Sequence, residues 1–307
     1  IIVGGRNMSN AYYKLPAKTN FIDREIYSKD TTTATALRFH FYSMWNHDKL
    51  TKRPLKHLLS EAEKEKWKEK LQTSWQSLVS LLQINPTSRE EWAGTASAQD
   101  VHASYDQFFR RINGKVVPFD RKDRRGTTQI IALIDSANTT IDIENPYFHP
   151  SKRMQKALQH ALDRGVKIRL LTNSECNVDV LTMQSVYRQY RPRYLKMGIE
   201  IWEYAGTHCL HTKSIVIDSL VTIVGSYNMH PMSEVYNTEV NLWVSDFAIA
   251  QSNLAIMQRY LLDSNKIEVS AETLSKCRLV KNPMCPKKSR RLQLLMNSIS
   301  RILAWYI

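Results

Sequence analysis

The stretch that decides the fold runs from His211 to Asn228 and reads His-Thr-Lys-Ser-Ile-Val-Ile-Asp-Ser-Leu-Val-Thr-Ile-Val-Gly-Ser-Tyr-Asn. Its apolar runs, Ser214–Asp218 and Thr222–Val224, predict two strands joined by a short turn. Side chains two apart on extended backbone share a face, so His211 and Lys213 present an imidazole and an ammonium together. Asp218 lies five residues past Lys213 and projects to the other face. A short Asp side chain there suits a turn anchor. Gly225, Ser226 and Asn228 close the stretch, and Ser226 and Asn228 both carry hydrogen-bond donors.

Outward from this stretch, strands and helices alternate. Upstream, Thr128–Ala137 reads as a helix and Thr140–Glu144 as a strand. Lys152–Arg164 is a helix closed by Gly165, Val166–Thr172 a strand, Val180–Gly198 a helix and Ile199–Tyr204 a strand. Downstream, Glu239–Ser245 reads as a strand and Asp246–Leu262 as a helix. Such alternation predicts an α/β sheet covered by helices. Nearer the start, residues 1–30 read as strand, loop, strand, and Thr33 to Trp45 as a helix. A capping box at Ser60-Glu61-Ala62-Glu63 opens an amphipathic helix marked by Trp67, Leu71, Trp75, Leu78 and Leu82, which Pro86 ends. Residues 86–125 are polar and show no clear period.

Hydrophobic residues make up 43% and charged residues 23% of the 307, a globular balance. No run approaches the roughly 20 apolar residues of a membrane-spanning helix. Cys176, Cys209, Cys277 and Cys285 form no metal-like cluster and read as free thiols. The net charge of +14 points to a polyanionic partner, nucleic acid or an anionic membrane face. Eight basic residues and no acidic ones lie between Lys276 and Ile307, so most of the surplus is a tail rather than a groove.

His211, Lys213, Asp218, Gly225, Ser226 and Asn228 fall at the offsets of the HxKx4Dx6GSxN signature, and the chain resembles the phospholipase D superfamily. The resemblance implies a phospholipase D-like mixed sheet flanked by helices. It also implies a phosphodiesterase site made of two such motifs. One histidine attacks phosphorus and forms a phosphohistidine; the other protonates the leaving alcohol and then activates the acceptor. It places Asp218 in the catalytic set, although its spacing favours the turn. Lys213, Ser226 and Asn228 hold the phosphate oxygens. A carboxylate on the following strand orients the histidine, which assigns Glu239 to His211. No metal or other cofactor is required. First histidines usually attack, so His211 leans towards general acid/base, with the nucleophile role left open.

Ile2-Val3-Gly4-Gly5-Arg6-Asn7-Met8 repeats Ile223-Val224-Gly225-Ser226-Tyr227-Asn228-Met229, and Gly5 stands where Ser226 stands. The chain is therefore expected to open on the tail of a first motif, although a Gly-Gly turn also suits an ordinary loop. Asn7 would then touch phosphate, and Gly4, Gly5 and Glu25 would be the first motif's remnant, with Glu25 the partner of an absent histidine. Four regions follow: a first-lobe remnant at 1–45, a helical linker or insertion at 46–125, a second lobe at 126–265 and a basic amphipathic tail at 266–307. Activity would need a longer protein or a homodimer that pairs two copies of His211.

Ile143-Glu144-Asn145-Pro146-Tyr147-Phe148, Leu170-Leu171-Thr172-Asn173-Ser174 and Gly198-Ile199-Glu200-Ile201-Trp202-Glu203-Tyr204 are similar to bacterial cardiolipin synthases. That branch implies phosphatidyl transfer on an anionic phospholipid, peripheral on the cytoplasmic face of the membrane. The tail fits: Lys287, Lys288, Arg290 and Arg291 precede Leu292, Leu295, Ile299, Ile302, Leu303 and Tyr306, a pattern for an interfacial helix. Packing against its own domain is the other reading of that helix. A nuclease of the superfamily is the second enzymatic reading. The charge distribution disfavours nucleic acid, which calls for a basic groove with stacking aromatics. An inactive anionic-lipid-binding protein is the third.

Overall fold

A computed structural model describes residues 1–7, 9–13, 20–45, 101–106, 125–175, 177–235 and 237–268, with isolated helical positions at 62, 65, 66 and 69. Apart from those isolated positions and residues 266–268, the capping box, its helix and the basic tail lie outside the described residues.

The centre is an eight-stranded mixed sheet flanked by helices. Three strands, β5 (Thr140–Glu144), β6 (Lys167–Asn173) and β7 (Glu200–Tyr204), run parallel. On the other side of β5 follow β9 (Ser214–Ile217), β10 (Val221–Gly225) and β11 (Glu239–Ser245), all antiparallel neighbours. At the edges lie β4 (Val101–Asp106), paired with β11, and β12 (Ser264–Lys266), paired with β7. Strand β4 is a correction. The reading of 46–125 as linker or insertion leaves no strand there, yet residues 101–106 extend the sheet.

Helix α2 (Arg125–Asp135) leads into β5, and α3 (Lys152–Asp163) and α4 (Leu181–Met197) cross between the parallel strands. Met154, Ala157, Leu158 and Ala161 form the buried stripe of α3, at the spacing one helical face requires. Ser151 caps its start by accepting from Met154 N, and Gly165 follows its end at φ +89°. Gly198 ends α4 at φ +105°, where other residues carry a steric cost. Ile141, Ile143, Leu158, Ile168, Leu170 and Ile201 meet in the core. After β11, Asp246 caps α6 (Phe247–Leu262), accepting from Ile249 N at 2.9 Å. The short α5 (Pro231–Val235) sits between β10 and β11.

The N-terminal segment docks on this lobe. Strands β1 (Ile2–Gly4) and β3 (Glu25–Tyr27) pair antiparallel, and Val3 and Ile26 pack on Val224, Leu242 and Val244. Asp30 opens α1 (Thr31–Trp45) as its cap, accepting from Thr33 N at 2.8 Å. Arg24, 3% exposed, is paired with Glu144, 1% exposed, and also donates to Asn253. Asn253 passes the chain on to the Ser214 hydroxyl at 2.6 Å.

One small pairing matters most. Strand β2 (Phe21–Ile22) lies parallel to β8 (Cys209–Leu210), in the register Phe21 to Cys209 and Ile22 to Leu210. The next residue on each side is Asp23 and His211.

Candidate active site

His211 follows β8 and Lys213 precedes β9, so the short extended link between two strands sets both side chains. The Ile22 carbonyl accepts from His211 N at 2.7 Å and fixes that link to the N-terminal segment. Both side chains are buried, each 6% exposed. Asp23 Oδ2 lies 2.7 Å from His211 Nδ1. A carboxylate there only accepts, which puts the proton on Nδ1 and the lone pair on Nε2, where the Tyr12 hydroxyl and Lys213 Nζ meet it. Lys213 Nζ stands beside the ring, 2.6 Å from Nδ1 and 3.1 Å from Nε2, and also donates to the His211 carbonyl. Imidazole and ammonium therefore share one side, as the spacing of two predicts.

Burial sets the electrostatics. It holds the His211 imidazole below the usual histidine range; the Asp23 hydrogen bond pulls the other way and the charge of Lys213 adds to the depression. The Lys213 ammonium is pushed down to about 8 by burial, against the carboxylates of Asp23 and Glu239. At pH 7 the pair is a neutral imidazole beside a cation.

Asp23, rather than Glu239, is the carboxylate on His211, which corrects the assignment made from the resemblance. Glu239 starts β11, beside β10, and accepts from the Ser226 hydroxyl, from Ser233 Oγ at 2.6 Å and from Asn237 Nδ2 at 3.1 Å. Burial raises its carboxyl above the ordinary range. Ser226 is a second correction: its hydroxyl donates to Glu239 and accepts from Val240 N at 3.0 Å, so it is committed within the protein. The Asn228 side-chain oxygen is buried and without a hydrogen-bond partner, but it is an acceptor; a phosphate oxygen would be met by the amide nitrogen instead.

Asp218 stands at the far end of β9, at φ +51°. Its carboxylate accepts from the backbone N–H groups of Asn138, Thr139 and Thr140 at 2.8 to 3.0 Å. These bonds hold its acidity at about pKa 2. Asp218 is a turn anchor, and its place in the catalytic set is a further correction. Asp218→Ala is expected to lower unfolding free energy by about 1–2 kcal/mol, measured by urea titration, by orphaning three donors. In the parent, the stabilisation from this carboxylate is present above its ordinary pKa and is lost as pH falls towards 2.

The N-terminal expectations divide. A Cβ on Gly5 would lie 2.8 Å from Asp23 Oδ1 and 2.9 Å from Lys213 Cδ, so Gly5 lines the site and its lack of side chain is required there. Asn7 reaches the site through Tyr12, donating to its hydroxyl at 3.1 Å. Gly4 packs against Arg24 and Glu25 within the β1–β3 pairing. Glu25, expected to partner a histidine that this sequence does not contain, is paired with Arg6. The carboxylate on His211 is Asp23, two residues earlier.

Sequence reading also misses the aromatic surround. Tyr12 and Phe21 stack at 4.5 Å, and their rings lie 5.0 and 5.4 Å from that of His211. Tyr147 stands 6.1 Å away and donates to Asp179 at 2.6 Å. Among the described residues, no group of three or more His, Cys, Asp or Glu is placed to hold a metal ion.

Comparison with known proteins matches residues 130–261 to the family described as "Cardiolipin synthase, PLD-like domain". The chain carries a phospholipase D-like domain. Over 268 residues it is 23% identical to an uncharacterized protein of Helicobacter pylori strain J99, covering 78% of this chain and 50% of that one. It is 33% identical over 135 residues to the probable cardiolipin synthase YwiE of Bacillus subtilis, covering 44% and 26%. Phosphatidylserine synthase of Haemophilus influenzae superposes with a TM-score of 0.49 at 14% identity, over 66% of this chain and 46% of that one. The chain thus spans half or less of the length of these relatives. His211, Lys213 and Glu239 all lie inside the phospholipase D-like domain, whereas Tyr12 and Asp23 lie before it.

Proposed function

We propose that this chain supplies one half of a phosphodiester-transferring site that acts on anionic phospholipids, as a phosphatidyltransferase of the cardiolipin synthase type or a phospholipase D. The carrying observation is the buried set of His211, its Asp23 partner and Lys213. A carboxylate-oriented imidazole with its lone pair on Nε2 can attack phosphorus or exchange a proton with the alcohol. A cation beside the imidazole balances the charge on the non-bridging oxygens as the P–O bond breaks. A phosphohistidine mechanism separates attack from proton transfer, so a second imidazole completes the site. It comes from further sequence or from a second copy of His211.

Lipid is favoured over nucleic acid because the basic residues concentrate after Lys276, in a pattern suited to an anionic bilayer. Peripheral attachment at the cytoplasmic face is part of the same proposal; no helix among the described residues is long and apolar enough to cross a membrane.

Turnover of phosphatidylglycerol vesicles, set beside single-stranded DNA, tests the reading. Lipid turnover without DNA cleavage is expected; the reverse result makes the protein a nuclease. Binding to the vesicles without turnover of either substrate makes it an anionic-lipid-binding protein. The pH profile adds a second expectation. Lys213 must be charged to hold phosphate, so the rate falls as pH rises through about 8. A rate that stays flat to pH 10 removes Lys213 from that role.

A further inference from the structure

His211 is closed over by a side chain whose position is held from two directions. The Tyr12 hydroxyl lies 3.2 Å from His211 Nε2. With Nδ1 protonated towards Asp23, the hydroxyl donates to the Nε2 lone pair. The hydroxyl in turn accepts from Asn7, and the ring stacks on Phe21. A second fastening lies outside the site: Arg6 donates to the Tyr12 carbonyl while its guanidinium is paired with Glu25. Tyr12 is 5% exposed.

A reacting atom, whether phosphorus or the oxygen that exchanges the proton, must approach Nε2 to about 3–3.5 Å. The Tyr12 hydroxyl occupies that distance and that direction. Resting on the phosphodiester reading above, we propose that Tyr12 is a positioning and gating residue. Its hydroxyl holds the His211 lone pair in place of a phosphoryl group, beside the Lys213 ammonium, and substrate enters by displacing the Tyr12 hydrogen bond. The Glu25–Arg6 pair sets how firmly the gate is held.

The exchange is within reach energetically, because one neutral hydrogen bond contributes about 0.5–1.5 kcal/mol. Removing it should therefore change access to Nε2 by about three- to tenfold.

The test measures modification of His211 in the full chain by diethyl pyrocarbonate at pH 7, located by peptide mass, with and without inorganic phosphate. Tyr12→Phe keeps the stacked ring and loses the hydroxyl. It is expected to react about three- to tenfold faster than the parent and to be protected by less phosphate. Glu25→Gln, a change at a half-buried residue outside the site, is expected to shift both readouts in the same direction by a smaller factor. Equal rates in all three chains overturn the gate, while phosphate protection of the parent still stands for the phosphate site. Faster modification with no phosphate protection in any chain also overturns the proposal, and the phosphodiester reading with it.

Discussion

His211→Gln is expected to lower turnover of a phosphodiester by at least about three orders of magnitude, with folding and lipid binding retained. Glutamine keeps a hydrogen-bonding side chain of similar reach towards Asp23. It has no group that attacks phosphorus or exchanges a proton near neutral pH. On the proposed reading the imidazole is the one part of the set whose chemistry cannot be shared: Lys213 would balance charge, and Asp23 orients the ring. Hydrolysis of bis(p-nitrophenyl) phosphate by the full chain gives the measurement, beside a thermal melt that confirms folding. Turnover by His211→Gln within a few-fold of the parent would remove His211 from the chemistry.

The largest expected loss of stability comes from Arg24→Ala. The Arg24–Glu144 pair has side chains only 2% exposed on each partner. Removing the guanidinium leaves Glu144 buried without a countercharge, close to Asp142 and Asp23, whose charges already act on it. Breaking one side of a buried pair costs about 3–5 kcal/mol. Arg24 also follows Asp23 directly, so its loss loosens the carboxylate on His211, and turnover should fall together with the melting temperature. Replacing both partners, as Arg24→Met with Glu144→Met, should recover most of the stability, because two apolar side chains leave no orphaned charge. Urea titration of the single and double variants separates these effects. A single-variant loss under about 1 kcal/mol would show that the N-terminal segment is not anchored through this pair.

Much of the lobe from residue 126 onward is legible in the sequence, and the reason is local. Helix α3 carries its apolar residues at helical spacing between a Ser cap and a terminal glycine. Strand β11 matches its expected limits, Glu239–Ser245. Strand β4 carries a short signal, Val101, Ala103 and Tyr105 alternating with His102, Ser104 and Asp106, but it stands alone in a polar stretch and its pairing partner β11 is distant in sequence. The site divides the same way. His211 and Lys213 are two residues apart, and extended backbone fixes their shared face. The carboxylate on His211 is 188 residues away in sequence. No local rule separates Asp23 from Glu25 in the run Asp-Arg-Glu. The parallel pairing of Phe21–Ile22 with Cys209–Leu210 decides it, by carrying Asp23 to His211, while Glu25 enters β3 and meets Arg6. Ser226 and Glu239 fail for a related reason. Adjacent strands put the hydroxyl and the carboxylate together, and each satisfies the other before any ligand arrives.

The most direct measurement is a crystal structure of the full chain with orthovanadate, a phosphate-like oxyanion that takes the geometry of phosphoryl transfer. The account predicts vanadium seated at His211 Nε2, its oxygens within hydrogen-bonding distance of Lys213 Nζ, and the Tyr12 hydroxyl displaced. An oxyanion bound elsewhere, with the Tyr12–His211 hydrogen bond intact, would contradict it.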